Sequence, residues 1–162
     1  EVARFVSEAS RRFPHALFII TGDHTAYGAN YLLPGGTALD LLTVPVIFTG
    51  ESLPEAYRGR HHRPASHLDI VPTLYEITAP AGFVYDAFGE NLFAPNGKGH
   101  ALGQDKVLLR QGLASTIDAS VIPINEFEEP PAEDVAFARR HHEAVRLISR
   151  AMIFGRETTA RH

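Results

Sequence analysis

Apolar residues along the chain recur at helical spacing in three places, and each predicts a helix. The first stripe predicts a helix over Glu1 to Phe13. Ser66 to Ile77 opens like a helix, with Pro72 in a position suited to the first turn. The longest stripe predicts a helix over about residues 132 to 154, and Gly155 is well placed to end it.

Short apolar runs predict the strands. Leu17 to Ile20 is one such run, and Val44 to Gly50 is a second. Because neither run alternates with polar residues, we expect burial on both faces, as in a parallel sheet covered by helices. Lys106 to Arg110 and Ala119 to Ile124 predict two further strands, paired as a hairpin on the edge of the sheet. Ala79 to Gly103 is rich in Gly, Pro and Asn and predicts a loop.

The first strand delivers two metal-capable side chains, Asp23 and His24, directly after Gly22. Adjacent residues of a continuous strand point to opposite faces. Only a turn at Gly22 lets the carboxylate and the imidazole converge on one ion. The simpler alternative is that Asp23 caps the next segment and His24 is an exposed loop residue.

Composition narrows the class of protein. The chain has 162 residues, 44% hydrophobic and 21% charged, which suits one soluble globular domain over 1–162. Its net charge of -4 offers no basic surface for nucleic acid. Without cysteine, thiolate metal sites and a cysteine nucleophile are excluded. No apolar run approaches the roughly 18 residues of a transmembrane helix. Because the first residue is not Met and already belongs to a predicted helix, we expect a piece of a longer protein.

Three other groups have a simple structural interpretation beside a functional one. A basic cluster near the middle of the chain could contact an anionic substrate or simply be solvated; it comprises Arg58, Arg60, His61, His62 and Arg63. Gly35-Gly36 predicts a tight turn rather than a phosphate-binding loop, since no lysine and helix start follow. His141 and His142 point about 100° apart on a helix, which favours packing over metal binding.

Four segments, taken in order, resemble the C-terminal half of a sulfatase-type member of the alkaline phosphatase superfamily. They cover roughly residues 15 to 95, and they are Phe18 to His24, Val44 to Ile47, Ser66 to Leu74 and Phe88 to Phe93.

This resemblance implies an α/β fold with a doubly wound, mostly parallel sheet, an edge hairpin, helices on both faces and a metal site at the strand tips. It also implies that Asp23 and His24 are metal ligands. Arylsulfatases usually have an oxygen ligand after this Asp, suited to calcium. The nitrogen of His24 instead favours manganese, with zinc, magnesium and calcium left open. That difference points to the lipoteichoic acid synthase and phosphoglycerol transferase branch.

The remaining parts of the family site belong to an N-terminal half that we expect to precede this chain. We therefore assign no catalytic nucleophile and no organic cofactor here. Some superfamily phosphatases use a further histidine, and the candidates are His61, His62, His67 and His100.

The resulting hypothesis is a metal-dependent phosphoryl or sulfuryl ester hydrolase or transferase, inactive as this chain alone. Its expected partners are the N-terminal half of the same catalytic domain and an anionic phosphate or sulfate ester, with homo-oligomers left open. By the resemblance, the parent works on the periplasmic or extracellular face of a membrane. The alternative is a non-catalytic packing or interaction domain without metal.

Overall fold

The computed structural model describes residues 1–24, 42–97, 99–124 and 128–154, and the chain divides into two compact units, residues 1–60 and 61–162. The described residues form three helices and two small antiparallel sheets. The prediction of a mixed α/β fold is therefore confirmed. The expectation of a single domain over 1–162 stays a prediction.

The first unit contains one helix and a two-stranded ribbon. Helix α1 spans Val2–Arg12, and strands β1 and β2 span Phe18–Thr21 and Val46–Thr49. The strands pair antiparallel, with Phe18 opposite Thr49 and Thr21 opposite Val46. Both strands and the helix thus form where the apolar pattern predicts them. Gly35-Gly36 lies outside the described residues.

The direction and the burial of these two strands differ from the expectation. β1 and β2 run antiparallel, so the described part of the chain shows no parallel sheet. Their residues are half-buried or exposed, and the exposed fraction of Ile47 is 48%. A continuous apolar run indicates that a strand becomes buried in some context, but it does not specify the direction of the partner strand.

The second unit is a four-stranded antiparallel meander with two helices. Helix α2 spans Ile70–Thr78 and helix α3 spans Ala132–Phe154, close to the predicted bounds. The strand order is sequential, and the strands are β3 His100–Leu102, β4 Lys106–Leu109, β5 Gly112–Ser115 and β6 Val121–Pro123. The position expected for the end of α3, Gly155, lies outside the described residues.

Two sequence expectations for this sheet are wrong. β4 and β6 are not hairpin partners, because β5 lies between them and pairs with both. The segment predicted as a loop ends in a strand, since β3 pairs with β4. β5 has the sequence Gly-Leu-Ala-Ser, which carries no β-branched or aromatic residue to indicate a strand.

The core of the second unit lies between α3 and the central strands. β4 alternates, so that Val107 and Leu109 are buried while its other residues are half-buried. Val135 and Ala138 of α3 pack into the same cluster with Ala114 of β5. Ala138 has no exposed surface, and its small side chain allows the helix to lie close to the sheet.

Polar side chains also attach the first half of α3 to the sheet. Arg139 donates through Nε to the carbonyl of Ser115 at 2.7 Å and through Nη2 to that of Ser120 at 3.2 Å. His142 Nε2 lies 3.0 Å from the carbonyl oxygen of Gly103. His142 therefore has the packing role that its sequence suggests. Within the described ranges, no helix combines the length and the apolar character needed to cross a membrane.

Candidate metal site

Gly22 alone separates the candidate ligands from the end of β1. A β-carbon added at Gly22 would lie 3.1 Å from the Cβ and Cγ1 of Val44, so the chain passes close to the segment that leads into β2. Glycine suits this close approach because it has no side chain. The backbone then leaves the ribbon and carries Asp23 and His24 beyond the strand tip.

The two side chains lie next to each other. The backbone N–H of His24 donates to Asp23 Oδ1 at 2.9 Å, and Asp23 Oδ2 lies 3.6 Å from His24 Nε2. The side chain of Asp23 is 88% exposed and that of His24 is 56% exposed. Carboxylate and imidazole are therefore adjacent and accessible, which agrees both with convergence on one ion and with the alternative of an exposed loop residue.

This donor pair fits a divalent ion in part. An ion at about 2.1 Å from each donor places the two donors roughly 3.0–3.5 Å apart, close to the observed separation. An oxygen and a nitrogen donor suit manganese or zinc. However, no group of three or more candidate ligands occurs among the described residues. Protein sites with two donors bind weakly, so Asp23 and His24 amount to part of a site, and their role as ligands stays a prediction.

Two arginines of the basic cluster make contacts within their own units. Arg58 donates to Glu55 and to the carbonyl of Leu53 in the first unit. Arg63, in the second unit, is bonded to Glu90 and donates to the carbonyls of Leu92 and Ala94 at 3.0 and 2.9 Å. These two arginines stabilise loops.

The histidines considered as further ligands all belong to the second unit. His61 packs edge-on against Phe93, with ring centroids 5.2 Å apart, and His67 lies in the 3-10 turn His67–Asp69 before α2. His62 is exposed. His100 is buried, and its Nε2 lies 2.8 Å from Nδ1 of His141. The His100–His141 contact is a pairing that the sequence did not indicate, because 41 residues separate the two rings.

A buried hydrogen-bond lock around Asp69 connects the last two segments of the resemblance. Asp69 is 6% exposed, and its carboxylate accepts from the backbone N–H of Ser66 at 2.7 Å and from that of Glu90 at 2.9 Å. Thr73 donates to the carbonyl of Asp69 at 2.6 Å and accepts from the N–H of Leu92 at 2.8 Å. These residues hold the loop at 90–92 against α2, which is a structural role.

Only one half of this lock has a signal in the sequence. The Ser-x-x-Asp spacing of Ser66 and Asp69 is a capping signal at a helix start. Nothing in the sequence joins Asp69 to Glu90, which lies 21 residues later. The close packing at Gly89 was equally hidden: a β-carbon there would lie 2.1 Å from the carbonyl oxygen of Leu68.

Two titratable groups away from Asp23 and His24 have shifted pKa values. Partial burial, and then the hydrogen bond to Glu76, raise the pKa of Tyr85 above its ordinary value. Hydrogen bonds from Ser120, and then from Ser115, lower the pKa of Asp118. Neither group lies near the candidate ligands in sequence.

Comparison of the chain with protein-family models, with curated proteins and with solved structures gives no match. The functional argument therefore depends on the residues themselves.

Proposed function

We propose that this chain supplies the Asp-His part of the metal site of a phosphoryl or sulfuryl ester hydrolase or transferase of the sulfatase type. One observation carries the proposal: the Asp23 carboxylate and the His24 imidazole lie 3.6 Å apart, exposed, immediately after a β-strand. Strand tips are where α/β proteins commonly place their chemistry.

The hydrogen-bond lock around Asp69 supports the same proposal, because it joins two segments of the resemblance. The third and fourth segments of the resemblance, around Asp69 and Glu90, are bonded to each other through buried groups. Two of the segments that carry the resemblance thus belong to one local structure. In the intact parent we propose a doubly wound, mostly parallel sheet, to which strands from an N-terminal half contribute.

In this mechanism Asp23 would hold the ion through a carboxylate oxygen and His24 through an imidazole nitrogen. The hydrogen bond from the His24 N–H to Asp23 Oδ1 orients the carboxylate before any ligand arrives. When bound, a divalent ion such as manganese supplies positive charge that stabilises the ester oxygens. The nucleophile and the remaining ligands come from the N-terminal half, so we propose that this chain alone has no turnover.

The test is a manganese titration of this chain followed by NMR and calorimetry. We expect paramagnetic broadening centred on residues 22–24, with a dissociation constant above about 1 mM because only two protein donors are present. Asp23→Ala should abolish the local broadening, while Asp86→Ala, an exposed aspartate of the second unit, should not.

Two results would contradict the proposal. Broadening that is unchanged in Asp23→Ala would show that the ion does not use this carboxylate. Appreciable hydrolysis of an aryl phosphate by the isolated chain, retained in Asp23→Ala, would contradict both the site and the incomplete-site interpretation.

A second candidate function, a packing or interaction domain without metal, is favoured by the second half of α3. This part of the helix has no buried residue, and five of its apolar side chains are 49 to 67% exposed; they are Leu147, Ile148, Met152, Ile153 and Phe154. An exposed apolar surface of this kind often marks an interface. Light scattering that shows a stable homo-oligomer, together with no manganese-dependent broadening, would favour this function over the first.

A further inference from the structure

A cavity of about 300 Å³ lies where the start of α3 faces the ends of β3 and β4. Its floor includes His100 and Leu109, which are directly opposite each other across the β3–β4 pair and are 8% and 3% exposed. The ring of Phe137, 49% exposed, forms one wall. The volume is at the lower end of the range for small-molecule sites, about 300–1,000 Å³.

Two side chains of opposite charge line the same cavity without pairing with each other. Arg110 comes from the turn between β4 and β5, and Asp134 comes from the first turn of α3. Both residues are exposed, and within the described part of the chain neither side chain makes a hydrogen bond or an ion pair. An aspartate in a first helical turn often caps the helix, but Asp134 does not, so its carboxylate can accept from a ligand.

These features define the chemistry of a ligand. A guanidinium prefers a carboxylate, which it can bind through two parallel hydrogen bonds. The Asp134 carboxylate suits an ammonium group, and the exposed face of the Phe137 ring suits an alkyl chain or a cation. A ligand with a single charge could pair with only one of these two side chains, whereas a ligand with both charges can pair with both.

We propose that this cavity binds a small zwitterion of the amino-acid type. Arg110 binds the carboxylate, Asp134 binds the ammonium group, and Phe137 and Leu109 contact the apolar side chain. This site is independent of Asp23 and His24, and the proposal does not depend on the proposed function.

The test compares three probes of the same shape in an amide chemical-shift titration: L-leucine, L-leucine amide and 4-methylpentanoate. The first carries both charges, the second only the cation and the third only the anion. We expect saturable shifts at Gly99, Gln111 and Phe137, with leucine binding at least about tenfold more tightly than either analogue.

Two variants separate the roles of the charges. Arg110→Ala should weaken the binding of leucine and of 4-methylpentanoate by about tenfold and leave the binding of L-leucine amide unchanged. Asp134→Asn should weaken leucine and L-leucine amide and leave 4-methylpentanoate unchanged. Glu133→Gln and Arg140→Ala, exposed neighbours on α3 that do not line the cavity, serve as matched controls.

The proposal is wrong if leucine produces no saturable shifts around the cavity. It is also wrong if leucine binds no more tightly than the two analogues, or if both variants bind leucine like the original chain. In each of these three cases the two charges are solvated surface groups.

Discussion

The two units differ most in how much of their own structure they bury. In residues 1–60, α1, β1 and β2 contain no buried residue, and Leu53 is the one buried apolar residue in the described part of that unit. In residues 61–162, a cluster of buried side chains joins α3 to the sheet. The proposed metal ligands, Asp23 and His24, thus belong to the unit with the smaller core.

This difference has a physical consequence. A two-stranded ribbon on its own is marginally stable in water, and three or more strands or a packed helix are normally needed. A metal site needs donors that are held in place. The proposed N-terminal half would supply packing partners that hold Asp23 and His24 in place. The second unit has the structure needed to fold around its own core.

The largest expected effect is at the lock in the second unit. Asp69→Ala removes the carboxylate that accepts from the partly buried backbone N–H groups of Ser66 and Glu90. Hydrogen bonds to a charged acceptor stabilise the fold, and donors left without an acceptor destabilise it. We therefore expect the free energy of unfolding to fall by about 3 kcal/mol. Urea unfolding of the second unit, read by NMR signals of β4, measures it.

Asp69→Asn and Asp86→Asn complete this experiment. Asp69→Asn keeps one acceptor oxygen, so it should lower the free energy of unfolding less than Asp69→Ala does. Asp86→Asn changes an exposed carboxylate and should have no effect. If Asp69→Ala is as stable as Asp86→Asn, the lock does not stabilise the unit.

Local patterns in the sequence predict much of this structure, and long-range pairings explain most of what they miss. The bounds of α1 and α3 follow from helical spacing, because each turn of a helix depends on neighbours three or four residues away. Strand direction does not follow, because β1 and β2 are joined by a segment of more than 20 residues whose path the apolar runs do not specify. β5 carries no strand signal, because it contains no β-branched or aromatic residue.

The candidate site follows the same rule. Asp23 and His24 are adjacent in sequence, so a turn at Gly22 was enough to predict their approach. Asp69 and Glu90, His100 and His141, or Arg110 and Asp134 come together only through the fold, and no spacing rule connects them.

A matched pair of apolar truncations compares the two units directly. Val107 in β4 has no exposed surface, so Val107→Ala leaves a cavity and should lower the free energy of unfolding by about 2 kcal/mol. Ile47 in β2 is 48% exposed. Ile47→Ala should therefore lower the free energy of unfolding by less than about 1 kcal/mol, although it removes more atoms than Val107→Ala does. Hydrogen exchange of β4 amides for the first variant, and of β2 amides for the second, gives the two values. Equal losses would mean that the ribbon is as well packed as the core, and the contrast between the units would fail.

A comparably small effect is expected at Gly50, which directly follows β2. Its φ is 136°, and a β-carbon there would lie 2.3 Å from the carbonyl oxygen of Ala16, so Gly50→Ala adds both backbone strain and a clash. Gly59→Ala is the control, because its φ of 114° gives the strain while nothing lies within 4 Å of the added carbon. Since a marginal ribbon can lose no more stability than it has, we expect Gly50→Ala to lower the opening free energy of the β1 and β2 amides by about 1 kcal/mol, and Gly59→Ala to lower it less. If both variants change the exchange of these amides equally, the contact between Gly50 and Ala16 does not constrain the ribbon.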